Sequence, residues 1–535
     1  MPRAVSVVAV FAAACLAVGA GDAANPRTFS VLRIVQPASA FTSLDPALGY
    51  ANGSWQLEWR VYVGLLTYRD VPGRDGTVIA PGLASALPAI GDRGRTYTFT
   101  LRPGLAYSDG RPVHASDVKN GIERLFRIDS PAVGFFGGIV GADTFAKTRR
   151  GGISGIVADD TARTIMFRLV RSRNDFANVL AMPFAAPVPA GTPAKDVSAT
   201  SPVPGTGPYA IASYRPNRSV VLLRNANFVP TAWVARGNPD RVEVSIGGDA
   251  RHNLTAVRKG TADYDGDLLP PDQLAQAQKA LGDRVRVSLL PNTIYVWMNT
   301  RVAPFTDVRV RRAVEYAVDR AAVARLFGGL ARPTENLLPP SYSAYRKLSL
   351  YPHDLARARA LVRSAGASGT HVKVWGIAQQ PWASLAAYLS SVLDSIGLKT
   401  SIASIPAATF QNVVGNRATH AQIGWNVWLA DYPNPVDWFD TLLNGEHITA
   451  THNNNLANAN DAEVNALIDR LREAPRVTPA VDAGWARVDR LVLSKAFIAP
   501  VVNVVSTSAF SSRVDMSCYV DHPIYGFDWT RACVR

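Results

Sequence analysis

Hydrophobic and polar positions along the chain follow two different periods. In Tyr97-Thr98-Phe99-Thr100-Leu101-Arg102 they alternate strictly, which predicts a strand with Tyr97, Phe99 and Leu101 on one buried face and polar groups on the other. Pro103-Gly104 ends this strand and Asp109-Gly110 supplies a turn. Ser116 then stands as the N-cap of a helix whose Val118, Ile122 and Leu125 share a face. Apolar runs from Val220 to Leu223 and from Val242 to Ile246 read as further strands. Asp307 caps a predicted helix with Val310, Val314, Ala317 and Ala321 along one side and an Arg311–Glu315 pair on the other, so this helix is expected to pack on one face only. Another helix runs from its cap at Asp354 through Leu355, Ala358, Leu361 and Val362 to Gly366, which suits the left-handed residue after a helix. The irregular mixture of the two periods predicts an α/β protein. Stretches rich in Pro and Gly, Pro183 to Pro208 and Pro333 to Pro340, read as loops or crossings between lobes.

Length changes the picture: 535 residues with 47% apolar content exceed what one core organises, so two or three lobes are expected. Met1-Pro2-Arg3, the apolar run Val5 to Val18 and the small residues after it have the order of a secretory leader, with cleavage after Ala20 or Ala24. Cys15 is a candidate for lipid modification, although Ala12 stands where lipoproteins carry Leu. No later stretch reaches the roughly 18 uninterrupted apolar residues of a membrane helix. Once Cys15 leaves with the leader, Cys518 and Cys533 remain in an oxidising compartment, where a disulfide persists; two buried thiols are the alternative. The net charge of +14 raises nucleic acid as a partner, but no run of five or more basic residues occurs, and a solvated basic surface accounts for it without a nucleic-acid partner.

Motifs for chemistry are scarce. The sequence holds no Gly-x-Ser-x-Gly elbow, phosphate-binding loop, His-Glu-x-x-His pair or Cys-x-x-Cys. Asp263, Asp265 and Asp267 are spaced as in a calcium loop, but Leu268 and Leu274 stand where that loop needs Gly and Glu. His447 and His452, near His420, read better as solvated loop histidines beside Asn453-Asn454-Asn455 than as metal ligands. No metal or cofactor is expected. The densest unusual segment runs from Trp425 to Trp438, where aromatics surround the carboxylate of Asp431. Flat apolar surface with one anion suits a peptide or amine ligand; a core strand followed by a Pro-terminated turn, with Trp425 and Trp428 simply buried, accounts for it equally.

Several blocks occur in a recognisable order: Leu44-Asp45-Pro46; Val63-Gly64-Leu65-Leu66; Tyr97 to Gly104 with Ser108 to Val113 and Ala115-Ser116-Asp117-Val118; Gly205-Thr206-Gly207-Pro208-Tyr209; Lys259 to Asp263; Pro304 to Arg311 with Ala317 to Arg320; and Ala358 to Gly366. In these the chain resembles the peptide- and nickel-binding class of extracellular solute-binding proteins of ABC importers. The resemblance implies a periplasmic-binding-protein-like α/β fold, bilobal with an extra inserted domain. It implies a leader at 1–24, lobe I at 25–72, 200–290 and 505–535, lobe II at 73–199, lobe III at 291–504, and a hinge between lobes. It implies a monomeric, exported binding protein, not an enzyme, that captures di- or oligopeptides in the interlobe cleft and delivers them to membrane permease subunits. Asp431, in the Trp-x-Ala-Asp-Tyr pattern with Trp428 and Tyr432, is then the residue that takes the ligand's α-amine. Trp425, Tyr50 and Trp382 are the further candidate contacts, whereas Asp109, Gly110 and Asp117 are read as turn and cap residues. A nickel complex, haem or sugar on the same fold, or a secreted peptidase, are the rival readings.

Overall fold

Strand pairing joins two sheets through one long strand. The computed structural model describes residues 29–266, 269 and 271–535; the expected leader, Cys15, Asp267 and Leu268 lie outside the described residues. The strand Val31–Gln36 lies parallel to both Arg241–Ile246 and Tyr264–Asp265, and the antiparallel strands Ser219–Arg224 and Tyr209–Arg215 extend the sheet from Arg241–Ile246. A second set is built on Asn292–Met298, flanked by Ile423–Leu429 and followed outward by His371–Ile377 and Lys399–Ile405. Ile498–Phe510 belongs to both. Its first part pairs with Asn292–Met298 and its last part with Val285–Leu289 and Tyr264–Asp265. This strand is buried almost throughout, as a strand with neighbours on both edges and cover on its faces must be.

Where the ribbon passes from one set to the other, the regular ladder is interrupted around Leu290-Pro291, and side chains replace it. The Asn292 amide donates to Val504 O (2.7 Å) and its Oδ1 accepts from Val504 N (2.9 Å), so one side chain pairs both peptide groups of Val504. Asn503 Nδ2 donates to Asn292 O and Thr293 Oγ1 (2.7 and 2.9 Å). Buried peptide groups left unpaired would each cost more than these bonds contribute.

A separate four-stranded antiparallel sheet (Ala89–Gly91, Thr96–Thr100, Thr164–Arg168, Ile156–Asp159) carries its own core with the helix Ala115–Arg127. Tyr97, Phe99 and Leu101 are buried as the alternation predicts. The helix begins two residues earlier than expected: its N-cap is His114 and not Ser116, and Asp117 accepts from His114 N (2.9 Å), while Ser116 binds Asp160. Arg124 on this helix forms a bidentate pair with Asp45 (2.6 and 2.7 Å), both fully buried. Leu44-Asp45-Pro46 is thereby tied to the inserted unit, a structural use of that block.

The helix at Asp307 spans Val308–Ala317, and a second begins at Arg320 under its own cap, Asp319. Arg311 and Glu315 do not pair: both are buried, Arg311 donating to Phe305 O and Ala496 O and Glu315 meeting Arg320 at 2.6 Å. The helix therefore packs on two sides, and Ala321, on the next helix, is exposed. The helix Leu355–Ser364 has the expected Asp354 cap, and Gly366 is left-handed. Cys518 and Cys533 form a disulfide. Among the described residues no helix is long and apolar enough to cross a membrane.

Asn292→Ala removes the side chain that, among the described residues, pairs both peptide groups of Val504. It is expected to destabilise the protein by about 1–3 kcal/mol, read as a lowered midpoint of chemical denaturation.

Candidate functional site

The crossing ribbon forms the floor of a cavity of about 470 Å³, walled by the helix Asn52–Val61, by Leu429 to Asp431, and by the C-terminal segment Asp521 to Phe527. Trp55 and Trp59, one helical turn apart, present edge-to-face rings on one wall (centroids 6.2 Å apart). A second cavity of about 430 Å³ adjoins it, sharing Pro291, Ala430, Pro523 and Ile524.

Asp431 reaches the first cavity because the strand Ile423–Leu429 ends there, with Ala430 N bound to Pro291 O (2.9 Å). Its carboxylate is 8% exposed and accepts from the Tyr50 hydroxyl (2.9 Å). Tyr50, 37% exposed, leans on Trp55 and Phe184 (5.4 and 5.7 Å between centroids). Behind Asp431 lies Asp437, fully buried, whose Oδ2 accepts from Asp431 N (3.0 Å) and Trp428 Nε1 (3.2 Å).

The sequence candidates thus have different fates. Asp431 and Tyr50 line the cavity. Trp428 does not; it holds Asp437, which orients the Asp431 backbone. Tyr432 turns away into the core of the inserted unit, its hydroxyl on Asp175 Oδ2 (2.8 Å), and borders the second cavity. Trp425 is 2% exposed and donates to Leu385 O (2.7 Å), so it is a core residue on the helix-covered face and not a cavity contact. Trp382, partly buried against the same core, also lies off both cavities. Asp437, Asp521, Trp55 and Trp59 were not singled out by sequence; the Trp pair at helical spacing was the available signal.

Other candidates are engaged elsewhere. Asp263 is held by Arg513, and His447 contacts Asp440 (3.0 Å) beside Arg472. Among the described residues no group of acidic, His or Cys side chains is placed to hold a metal ion.

The matching profile is that of the bacterial extracellular solute-binding proteins, family 5 Middle, over residues 78–450. The chain belongs to that family. A relative, heme-binding protein A of Haemophilus influenzae, is 26% identical over 528 residues, covering 92% of this chain and 90% of its own length. The probable D,D-dipeptide-binding periplasmic protein DdpA of Escherichia coli is 25% identical over 442 residues, covering 79% and 78%. The solved clavulanic acid biosynthesis oligopeptide binding protein 2 superposes with a TM-score of 0.86 at 28% identity, covering 94% of this family 5 chain and 95% of that one. Its fold is accordingly that of periplasmic solute-binding proteins, α/β with more than one lobe.

Burial raises the Asp431 pKa from 3.8 to about 7, although the Tyr50 hydroxyl bond works the other way; Asp437 is raised by burial and by the Asp431 charge. A carboxyl whose pKa rises on folding keeps its proton in the native state where the unfolded chain has lost it, so its contribution to stability falls as pH rises from about 4 to about 7. Asp431→Asn can still accept from Tyr50 and also relieves Asp437. Without ligand it is expected to melt higher than wild type at pH 8, with the difference vanishing at pH 4, in paired thermal denaturation.

Proposed function

We propose that this chain is the exported, ligand-capturing subunit of an ABC importer, that it takes peptides by their free α-amine at Asp431, and that it hands them to membrane permease subunits without chemical change. The observation that carries this reading is the buried Asp431 carboxylate at a cavity wall, facing aromatic surface and bonded at its cavity side to a neutral hydroxyl. An ammonium entering there gains a charge-assisted bond and relieves an anion that burial disfavours. The family's members are solute-binding proteins, and the relatives' names include both a haem and a dipeptide, so the ligand class has to come from the cavity itself. A carboxylate beside aromatic rings selects an amine. No nucleic acid, metal or cofactor enters this reading, and the chain acts as a monomer.

Asp431→Ala is expected to weaken peptide binding by about 2–5 kcal/mol, a loss of at least about tenfold, and N-acetylation of the peptide should weaken wild type similarly. Calorimetric titration of both proteins with both peptides checks this. Unchanged affinity on acetylation would overturn the amine reading.

The lobes move about the crossing ribbon. Lobe I is taken as 25–72, 200–290 and 505–535, lobe II as 73–199, and lobe III as 291–504. What supports the division is that the ribbon changes partners between Leu289 and Asn292 on one strand and near Val504 on the other. Contacts that would close the cleft join lobe II to lobe III: Tyr432 to Asp175, and Asn174 to Leu471 O and Arg472 O. Small-angle scattering should give a smaller radius of gyration with saturating peptide; an unchanged radius under confirmed binding would exclude closure.

A further inference from the structure

The cleft is charged opposite to the protein around it. The whole chain carries +14, yet the described residues lining the two cavities include the carboxylates Asp431, Asp521 and Asp482 and no Lys or Arg. The lining His522 is neutral: its Nδ1 accepts from Ile524 N and Tyr525 N, its Nε2 meets Arg69 O, and burial lowers its pKa to about 3. Two nearby guanidiniums serve other groups, Arg60 bridging Asp70 and Asp528 and Arg286 resting on the Tyr519 ring. Asp521 comes from the C-terminal hairpin with Gly526–Phe527, a wall built independently of the strand that delivers Asp431. The neutral hydroxyls of Ser288 and Tyr519 lie beside Asp521, and among the described residues no ion pair includes it. In the adjoining cavity Asp482 Oδ1 is buried with no hydrogen-bond partner among the described residues.

Carboxylates enclosed without a cation are costly unless the occupant supplies one. We infer that the ligand carries a second cationic group besides its α-amine and that Asp521 receives it, so that the preferred peptides are those with a basic side chain. This rests on the amine reading of Asp431 and specifies it. A peptide carboxylate finds no partner cation among the described lining residues, which disfavours acidic peptides for the same reason.

The test uses the mature chain and calorimetry with tripeptide amides bearing lysine at the first, second or third position, each against its norleucine counterpart of nearly equal shape and one charge fewer. Wild type is expected to prefer lysine at one position by about tenfold or more, and Asp521→Asn to bring that pair within about threefold. Equal binding of every lysine and norleucine pair by wild type overturns the inference, as does a preference that survives in a folded Asp521→Asn. The wild-type comparison needs no variant. N-acetylation reads Asp431 separately: if it has no effect while the lysine preference stands, the amine reading fails and the assignment of Asp521 does not. Titration with 1,8-diaminooctane against octylamine reads the same charge preference without a peptide, and no preference for the diamine by wild type counts against it.

Discussion

The pairing of the Asn292 side chain with both peptide groups of Val504 is the contact on which the arrangement depends. Two sheets can share one strand only if every buried N–H and C=O finds a partner where the neighbours change. At Leu290-Pro291 the backbone cannot supply those partners in regular register, and two asparagines do so without thickening the ribbon. The cavity lies on that ribbon, so the place where the sheets meet and the place where a ligand would sit are one structure.

Buried charge is handled in two ways. Where it ties elements together, the chain provides the opposite charge: Asp45 with Arg124, Asp528 and Asp70 with Arg60, Glu315 with Arg320. The Arg60 cluster stacks on Tyr525 and so braces the C-terminal wall of the cavity against the helix that carries Trp55 and Trp59. At the cavity Asp431 accepts from the neutral Tyr50 hydroxyl, and among the described residues no ion pair includes Asp431, Asp482 or Asp521. Core groups away from the cavity break the pattern too. Asp437 is held by Trp428 Nε1 and the Asp431 N–H, Asp489 by Asn336 and the Leu337 N–H, and Glu58 has no hydrogen-bond partner at either oxygen among the described residues; burial raises all of them, which favours the neutral acid. None of these lines either of the two cavities. Absence of a cation is therefore informative only together with access to the cleft.

Sequence by itself determined the local elements and the family. Strict alternation placed Tyr97, Phe99 and Leu101 on a buried face, and Asp307 and Asp354 cap helices because a carboxylate just before a helix finds N–H groups within reach of its own backbone. These outcomes depend on neighbours a few residues away. The tertiary structure alone decided what each buried face meets. Arg311 and Glu315, four apart, had a local partner in each other, yet distant carbonyls and Arg320 took them once both were enclosed. In the aromatic segment the pattern could not separate core from cleft, since an indole is equally apolar against protein or ligand. Trp425 found Leu385 O, Tyr432 found Asp175, and Asp431 was left at the opening. Asp521 lies ninety residues farther along a chain whose local pattern there marks only turns, and its short hairpin is set at the cavity by distant contacts such as that of His522 Nε2 with Arg69 O. Periodicity reports that a side chain is buried; which atoms bury it depends on segments the chain brings together only when it folds.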